Sequence, residues 1–406
     1  MSGTDTPKLH TANSGAHKNR DLLKPLTSFR FLAALLVFIW HTHLWASRMD
    51  PLELGYVGVS FFYVLSGFIL TYAYFSKLET GKLAEIKSFY FARIAKLFPV
   101  HILMFLFALP LVLPTFASLY PDHTAFHFLK QSIINIGLLQ SYFPSNQVNF
   151  AFNGVSWSIS DELFFYLLLP PLIFILAKYR RRLSITALLA SMLAMWALLL
   201  IALAPRQAVI DQWSYYIFPL MRLPDFLFGV LLGLIYRQQD TISSQPKWTA
   251  RTGTIFEVGA LCLLIGAVLL SPHLPQSLRF GAMLMPFWGA VIYVFSWQRG
   301  FVSKALSVRP LVFLGEISFS FYMCHQLIIR YVANYPTGHK ATISLIAAII
   351  MSYCMYLLYE EPARKYVRNT LEVAFRARQF SIASVKLRLA REQRTPQMVA
   401  AAADPE

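Results

Sequence analysis

Residues 24–45 read KPLTSFRFLAALLVFIWHTHLW, an apolar run interrupted by Arg30 and His41 eleven positions apart. At about 1.5 Å per residue, such a run crosses a hydrocarbon layer of about 30 Å as a single helix. Eleven steps of 100° make three turns plus about 20°, so both side chains share one face, roughly 16 Å apart along the axis. Ionisable side chains inside a bilayer are costly, and by default they mark a pathway or a reacting site. The plainer alternatives are an Arg30 that snorkels to the headgroups and a His41 held in the core by a hydrogen bond.

Outward from this run, the 406-residue chain repeats the same apolar texture. It is 56% hydrophobic and only 14% charged, with a mean hydropathy of +0.51. A soluble domain carries about a quarter charged residues. Ten stretches qualify as spans: 26–46, 55–76, 98–117, 154–177, 183–204, 212–236, 252–271, 279–298, 310–331 and 341–359. They predict an all-α polytopic transmembrane protein of about ten helices; a barrel would show short alternating strands. Three regions are expected: a cytoplasmic N-terminal segment (1–25), a transmembrane domain (26–361) and a basic cytoplasmic tail (362–406). The first span is expected to double as an uncleaved signal anchor. Residues 86–99, IKSFYFARIAKLFP, suggest an interfacial helix leading into the third span. The weakly apolar FHFLKQSIINIGLLQ (126–140) suggests a cap or re-entrant piece on the outer face.

The formal charge of +16 does not require nucleic acid. With the N-terminus inside, 28 Lys and Arg residues fall on the cytoplasmic side of the spans and six at or beyond their opposite ends. That is the positive-inside asymmetry, so the basicity reports topology. The tail segment from Val367 to Arg394 reads either as an amphipathic helix on the anionic inner leaflet or as a solvated tail. Cys262, Cys324 and Cys354 lie in spans, with neither a disulfide framework nor a metal spacing. A metal site from His41, His43, His123 and His127 has no specific spacing, and none is expected; His43 reads as an interfacial residue.

Depth sorts the polar groups. Arg30, Arg93 and Lys96 gather at the cytoplasmic side as a basic mouth suited to a phosphorylated ligand. Farther out, His41, Glu162 and His325 form a set suited to proton transfer, since an imidazole near pKa 6.5 takes a proton from a hydroxyl and a carboxylate can orient it. Asp161 and Glu162 point about 100° apart, so only one should face a shared site. Arg222 and Asp225, three apart, suggest an ion pair. Asp161, Arg222 and His325 complete the candidates as substrate-binding groups.

Several of these segments resemble the acyltransferase-3 family of bacterial integral-membrane O-acyltransferases. The resemblance covers about 25–365: the Arg30-x10-His41 spacing, GVSFFYVLSGF (58–68), FYFARIAKLFP (89–99), VSWSISDELFFYLLLP (155–170), RLPDFLFGVLLG (222–233), LGEISFSFYMCH (314–325) and EEPARKYVR (360–368). The chain departs from the family pattern at Lys96, where arginine is frequent, and at Asp161, where an apolar residue is frequent.

The resemblance implies ten membrane helices in a bacterial inner membrane, with His41 catalytic, Arg30 its essential partner, and Arg93 and Glu162 in the site. It implies transfer of an acyl group, commonly acetyl from acetyl-CoA, to an exported polysaccharide, a lipopolysaccharide or another glycan or glycolipid. Partners would be acyl-CoA, the carbohydrate acceptor, membrane lipids and polysaccharide-biosynthesis proteins. Intramembrane Arg, His and Glu also suit a proton-coupled transporter or a flippase of a lipid-linked glycan; the lack of internal repeats speaks against that alternative.

Overall fold

With no water in a bilayer core, each apolar run must satisfy its own backbone hydrogen bonds, and helix is the open-chain solution. The computed structural model describes residues 23–45, 54–119, 124–179, 183–203, 212–241, 246–281 and 283–375. Its helices in chain order are α1 (Lys24–Trp45), α2 (Leu54–Leu78), α3 (Leu83–Leu119), α4 (Thr124–Ile136), α5 (Asn146–Asn149), α6 (Trp157–Tyr179), α7 (Ile185–Leu203) and α8 (Pro219–Thr241). They continue with α9 (Ala250–Leu270), α10 (Gln276–Gly281), α11 (Met285–Ser296), α12 (Phe301–Leu306), α13 (Arg309–Glu316), α14 (Ser318–Ala333) and α15 (Lys340–Met355). Among the described residues nine helical stretches are long and apolar enough to cross a bilayer, and the pair α13–α14, bent by 62°, makes a tenth. The ten stretches correspond to the ten expected from sequence. His43's side chain, His123 and the tail beyond residue 375 lie outside the described residues.

One local expectation changes. Residues 86–99 do not form a separate interfacial helix: α3 runs unbroken for 37 residues, through Pro99, Pro110 and Pro114. At about 1.5 Å per residue that is roughly 56 Å, well beyond the hydrocarbon thickness, so one helix serves as both the amphipathic lead-in and the span. The segment 126–140, expected as a cap or re-entrant piece, is not among the candidate spans. Only α4, of 13 residues, forms there. Beyond it the buried Gln140 and Ser141 bond to Ser156 and Ser160 at the head of α6.

The bundle is organised around α2, whose most apolar window is 78% buried against 11% for α7. Membrane helices gain nothing from hiding apolar surface from lipid, so they approach through small residues. A β-carbon added at Gly67 of α2 would overlap the backbone of Phe226, and one at Gly229 of α8 would overlap that of Val64. The same holds at Gly58, against Ala33 of α1, and at Gly315, against Thr27 of α1. Backbone contact at Gly58 and Gly315 clamps α1 between α2 and α13, and contact at Gly67 and Gly229 holds α2 against α8.

The bend between α13 and α14 has a local cause. Ile317 sits at φ −79°, ψ −2°, and the Ser318 hydroxyl donates to the Gly315 carbonyl at 2.7 Å, a back-bond that bends helices. The bend turns α14 across α1, where Phe321 packs on Phe31 and Phe38 at 5.2 and 5.8 Å.

Candidate active site

On α1, the His41 Nδ1–H is 2.9 Å from the Val37 carbonyl, one turn back. The same nitrogen lies 3.2 Å from Nε2 of His325, on α14 and 284 residues away in sequence. His325 Nδ1 donates to the Tyr322 carbonyl at 2.7 Å. A carbonyl only accepts, so this bond places the His325 proton on Nδ1 and leaves its Nε2 as an acceptor for the His41 Nδ1–H. Donation therefore runs one way, from His41 to His325 to the Tyr322 carbonyl. It leaves the His41 Nε2 lone pair for chemistry. His41 is only 7% exposed and His325 is fully buried, with its ring stacked near Phe321 at 16°.

His41 lines a cavity of about 350 Å³ whose other walls include Trp40, Trp157, Tyr216, Gln212 and Gln326. Gln326 Oε1 is buried without a hydrogen-bond partner among the described residues. Tyr216 belongs to a π-helical turn, Trp213–Ile217, directly before α8; such turns often accompany functional sites.

Arg30 lines a second cavity, of about 380 Å³, together with Arg93, Lys96, Glu162 and Tyr166. Arg93 donates to the Tyr74 hydroxyl at 3.1 Å, and its guanidinium lies 5.3 to 5.9 Å from the Tyr74, Tyr166 and Phe89 ring centroids. Lys96 Nζ lies 5.9 Å from the Phe319 ring centroid. Glu162 accepts from Tyr166 at 3.1 Å. Beside the cavity, the buried Glu360 accepts from Ser320 at 2.5 Å and is an electrostatic neighbour of Arg30 and Lys96. A second π-helical turn, Tyr356–Glu360, carries it. The cavity therefore holds three cations against one carboxylate, with a second carboxylate behind it.

The sequence-predicted residues thus divide. Arg30, Arg93 and Lys96 come together as expected from their depth. Glu162 joins them rather than His41, whose ring partners are Val37 and His325. Asp161, Arg222 and His325, assigned to substrate binding from sequence, line neither cavity. Asp161 is fully buried and accepts from the Tyr63 hydroxyl at 2.9 Å. Arg222 pairs with Asp225 at 3.3 Å and donates to the Phe280 carbonyl, while Ser60 donates to Asp225 at 2.6 Å. These groups knit α2, α6 and α8 together behind the cavity walls. Sequence reading missed Tyr322, the Trp and Gln residues of the His41 cavity, and Glu360. Among the described residues no cluster of three His, Cys, Asp or Glu side chains could hold a metal ion.

The acyltransferase-3 model, described as an acyltransferase domain, matches residues 26–360. The acyltransferase MdmB of Streptomyces mycarofaciens is 27% identical over 402 residues, covering 87% of this chain and 94% of that protein. The peptidoglycan O-acetyltransferase OatA of Listeria monocytogenes is 24% identical, covering 86% of this chain and 56% of its own length. The O-acetyltransferase OatA of Staphylococcus aureus is 23% identical, covering 84% and 57%. The chain therefore spans only a little over half of the two OatA proteins. No solved structure matches. With nine apolar spans among the described residues, ten counting the bent α13–α14 pair, and a family match running from the first of them into the last, the chain belongs to the acyltransferase-3 family and is a multi-pass membrane acyltransferase.

Proposed function

We propose that this chain transfers an acyl group, acetyl in the first instance, from acyl-CoA to a hydroxyl of a carbohydrate or glycolipid acceptor. The observation that carries the reading is the pair of cavities strung along one face of α1. One is cationic around Arg30, and the other is neutral and aromatic around His41. The Lys and Arg asymmetry supports a bacterial inner-membrane orientation with both termini in the cytoplasm, so the Arg30 cavity opens toward cytosolic acyl-CoA. Arg30 has no hydrogen-bond partner among the described residues. Its five donors, with Arg93 and Lys96, suit the phosphates of a CoA thioester, and Glu162 and Glu360 limit the excess positive charge. The long donor arm then runs along α1 toward His41.

On the far side, Trp40, Trp157 and Tyr216 present flat apolar faces, and Gln212 and Gln326 present neutral amides. A polyhydroxylated acceptor fits such a wall better than an ionic one. His41 Nε2 takes the acceptor hydroxyl proton as the oxygen attacks the thioester carbonyl. The C–O bond forms, the C–S bond breaks, and the proton passes from Nε2 to the departing thiolate. His325 holds His41 in the tautomer this requires. The OatA names favour peptidoglycan among cell-envelope glycans; polysaccharide or lipopolysaccharide acceptors, with their biosynthesis proteins as partners, suit the same wall. Family membership favours this enzyme over the transporter alternative.

The test incubates purified protein with radiolabelled acetyl-CoA and extracted envelope glycans, beside His41→Ala. Label should reach a glycan with wild type alone. Labelled glycan from His41→Ala would remove His41 as the base, and wild type that consumes no acyl-CoA would remove the donor assignment.

A further inference from the structure

The two cavities have two lining residues in common: Val59 of α2 and Tyr322 of α14. Both are nearly buried, at 4% and 7% exposure. The Tyr322 ring sits between Phe62 and His325, with centroids at 5.8 and 5.7 Å. Its hydroxyl is 2.7 Å from Ser158 Oγ of α6. Ser158 already donates to the Val155 carbonyl at 2.9 Å, so the Tyr322 hydroxyl is the donor of this pair. The partition between the cavities is thus one aromatic ring and one branched aliphatic side chain, tied to three helices. It also shares a helical turn with the histidine relay, because His325 Nδ1 donates to the carbonyl of Tyr322 itself.

We propose that Tyr322 and Val59 form a selectivity partition that admits only a short acyl group from the Arg30 cavity to His41. The inference rests on the donor entering at the Arg30 cavity. The phosphates are held by cations on one side of the partition, and the general base stands on the other. What crosses between them is the acyl end of the thioester, through the gap that an aromatic ring and a valine leave. The same partition keeps water in the cationic cavity from reaching a thioester poised beside His41, where it would be hydrolysed to carboxylic acid and free thiol. Tyr322 and Val59 are therefore specificity-determining positions; a ring that merely tied α14 to α6 would leave chain-length preference untouched.

The experiment measures kcat/KM for acetyl-, butyryl- and hexanoyl-CoA with a fixed acceptor, together with acid released without transfer. The proteins are wild type, Tyr322→Ala, Tyr322→Phe, Val59→Ala and Val59→Ile. An apolar site discriminates one methylene by about tenfold or more. Tyr322→Ala and Val59→Ala should therefore raise the butyryl-to-acetyl ratio by roughly tenfold and increase uncoupled hydrolysis. Tyr322→Phe keeps the ring and should keep the wild-type ratio; Val59→Ile should lower it. If Tyr322→Ala fails to fold, the two Val59 variants bracket the same gap from the other side. An unchanged ratio in the active Val59→Ala and Val59→Ile proteins overturns the partition. A wild type that takes no acyl-CoA overturns the donor assignment instead, and the partition with it.

Discussion

Replacing His325 by phenylalanine isolates the part of the site that orients the base. The side chain is fully buried, stacked near Phe321 at 6.0 Å and edge-on to Phe38 at 6.2 Å. An aromatic hydrocarbon of similar size therefore fits without a cavity. The change removes the acceptor 3.2 Å from His41 Nδ1 together with the Nδ1–H that donates to the Tyr322 carbonyl. His41 keeps its bond to the Val37 carbonyl, so the tautomer preference weakens without vanishing. A neutral hydrogen bond contributes about 0.5–1.5 kcal/mol net, and a buried donor left poorly satisfied costs about 1–3 kcal/mol. If that loss falls on the transition state, kcat drops roughly fivefold to a hundredfold. This is less than the roughly 10⁴ lost when a charged orienting carboxylate is neutralised in a serine protease triad. His325→Gln, whose Oε1 still accepts, should fall between wild type and His325→Phe. The assay is acyl transfer under saturating donor, with size exclusion in detergent to confirm folding and His41→Ala as the floor. Wild-type kcat in a folded His325→Phe, beside an inactive His41→Ala, would refute the relay.

Two further expectations follow from the cationic cavity and the helix contacts. Arg93→Ala and Lys96→Ala should each raise KM for acyl-CoA with little change in kcat, because they remove binding shared by ground and transition states. A charge-assisted bond of about 1.5–3 kcal/mol corresponds to roughly tenfold to a hundredfold in KM, and an unmoved KM in both would exclude phosphate binding there. Gly229→Ala places a β-carbon on the Val64 backbone, whereas Gly259→Ala meets nothing within 4 Å. The first should lower thermal stability in detergent by the equivalent of about 1–3 kcal/mol or more and the second should not. Equal shifts would show that the close α2–α8 contact is not what holds the bundle.

The apolar motifs that carry the family resemblance acquire a physical meaning from these contacts. GVSFFYVLSGF contains Gly58 and Gly67, RLPDFLFGVLLG contains Gly229, and LGEISFSFYMCH contains Gly315. Each of these four glycines lies where a neighbouring backbone leaves no room for a β-carbon. Much of such a motif is therefore a packing device that fixes how near the helices come, and so where the chemistry meets. LGEISFSFYMCH does both: Gly315 seats α13 on α1, the bend at Ile317 redirects the chain, and Tyr322 and His325 arrive opposite His41. The EEPARKYVR segment adds Glu360, which a π-helical turn brings beside the Arg30 cavity.

The sequence by itself determined what depends on local periodicity. Ten apolar runs had to be helices because a bilayer offers the backbone no other partner, and Arg30 and His41 had to share a face because eleven steps nearly close three turns. The gathering of Arg30, Arg93 and Lys96 also followed, since depth along the membrane axis can be counted in residues. Depth says nothing about which faces of different helices are apposed. That was decided by tertiary packing: Gly315 against Thr27 and the bend at Ile317 rotate α14 so that His325, rather than Glu162, reaches His41. Glu162 turns instead toward the three cations, where opposite charge in a medium of low dielectric outweighs its nearness to His41 in estimated depth. A contact between residues 284 positions apart has no periodicity to betray it, so the histidine relay and the Tyr322 partition became visible only in three dimensions.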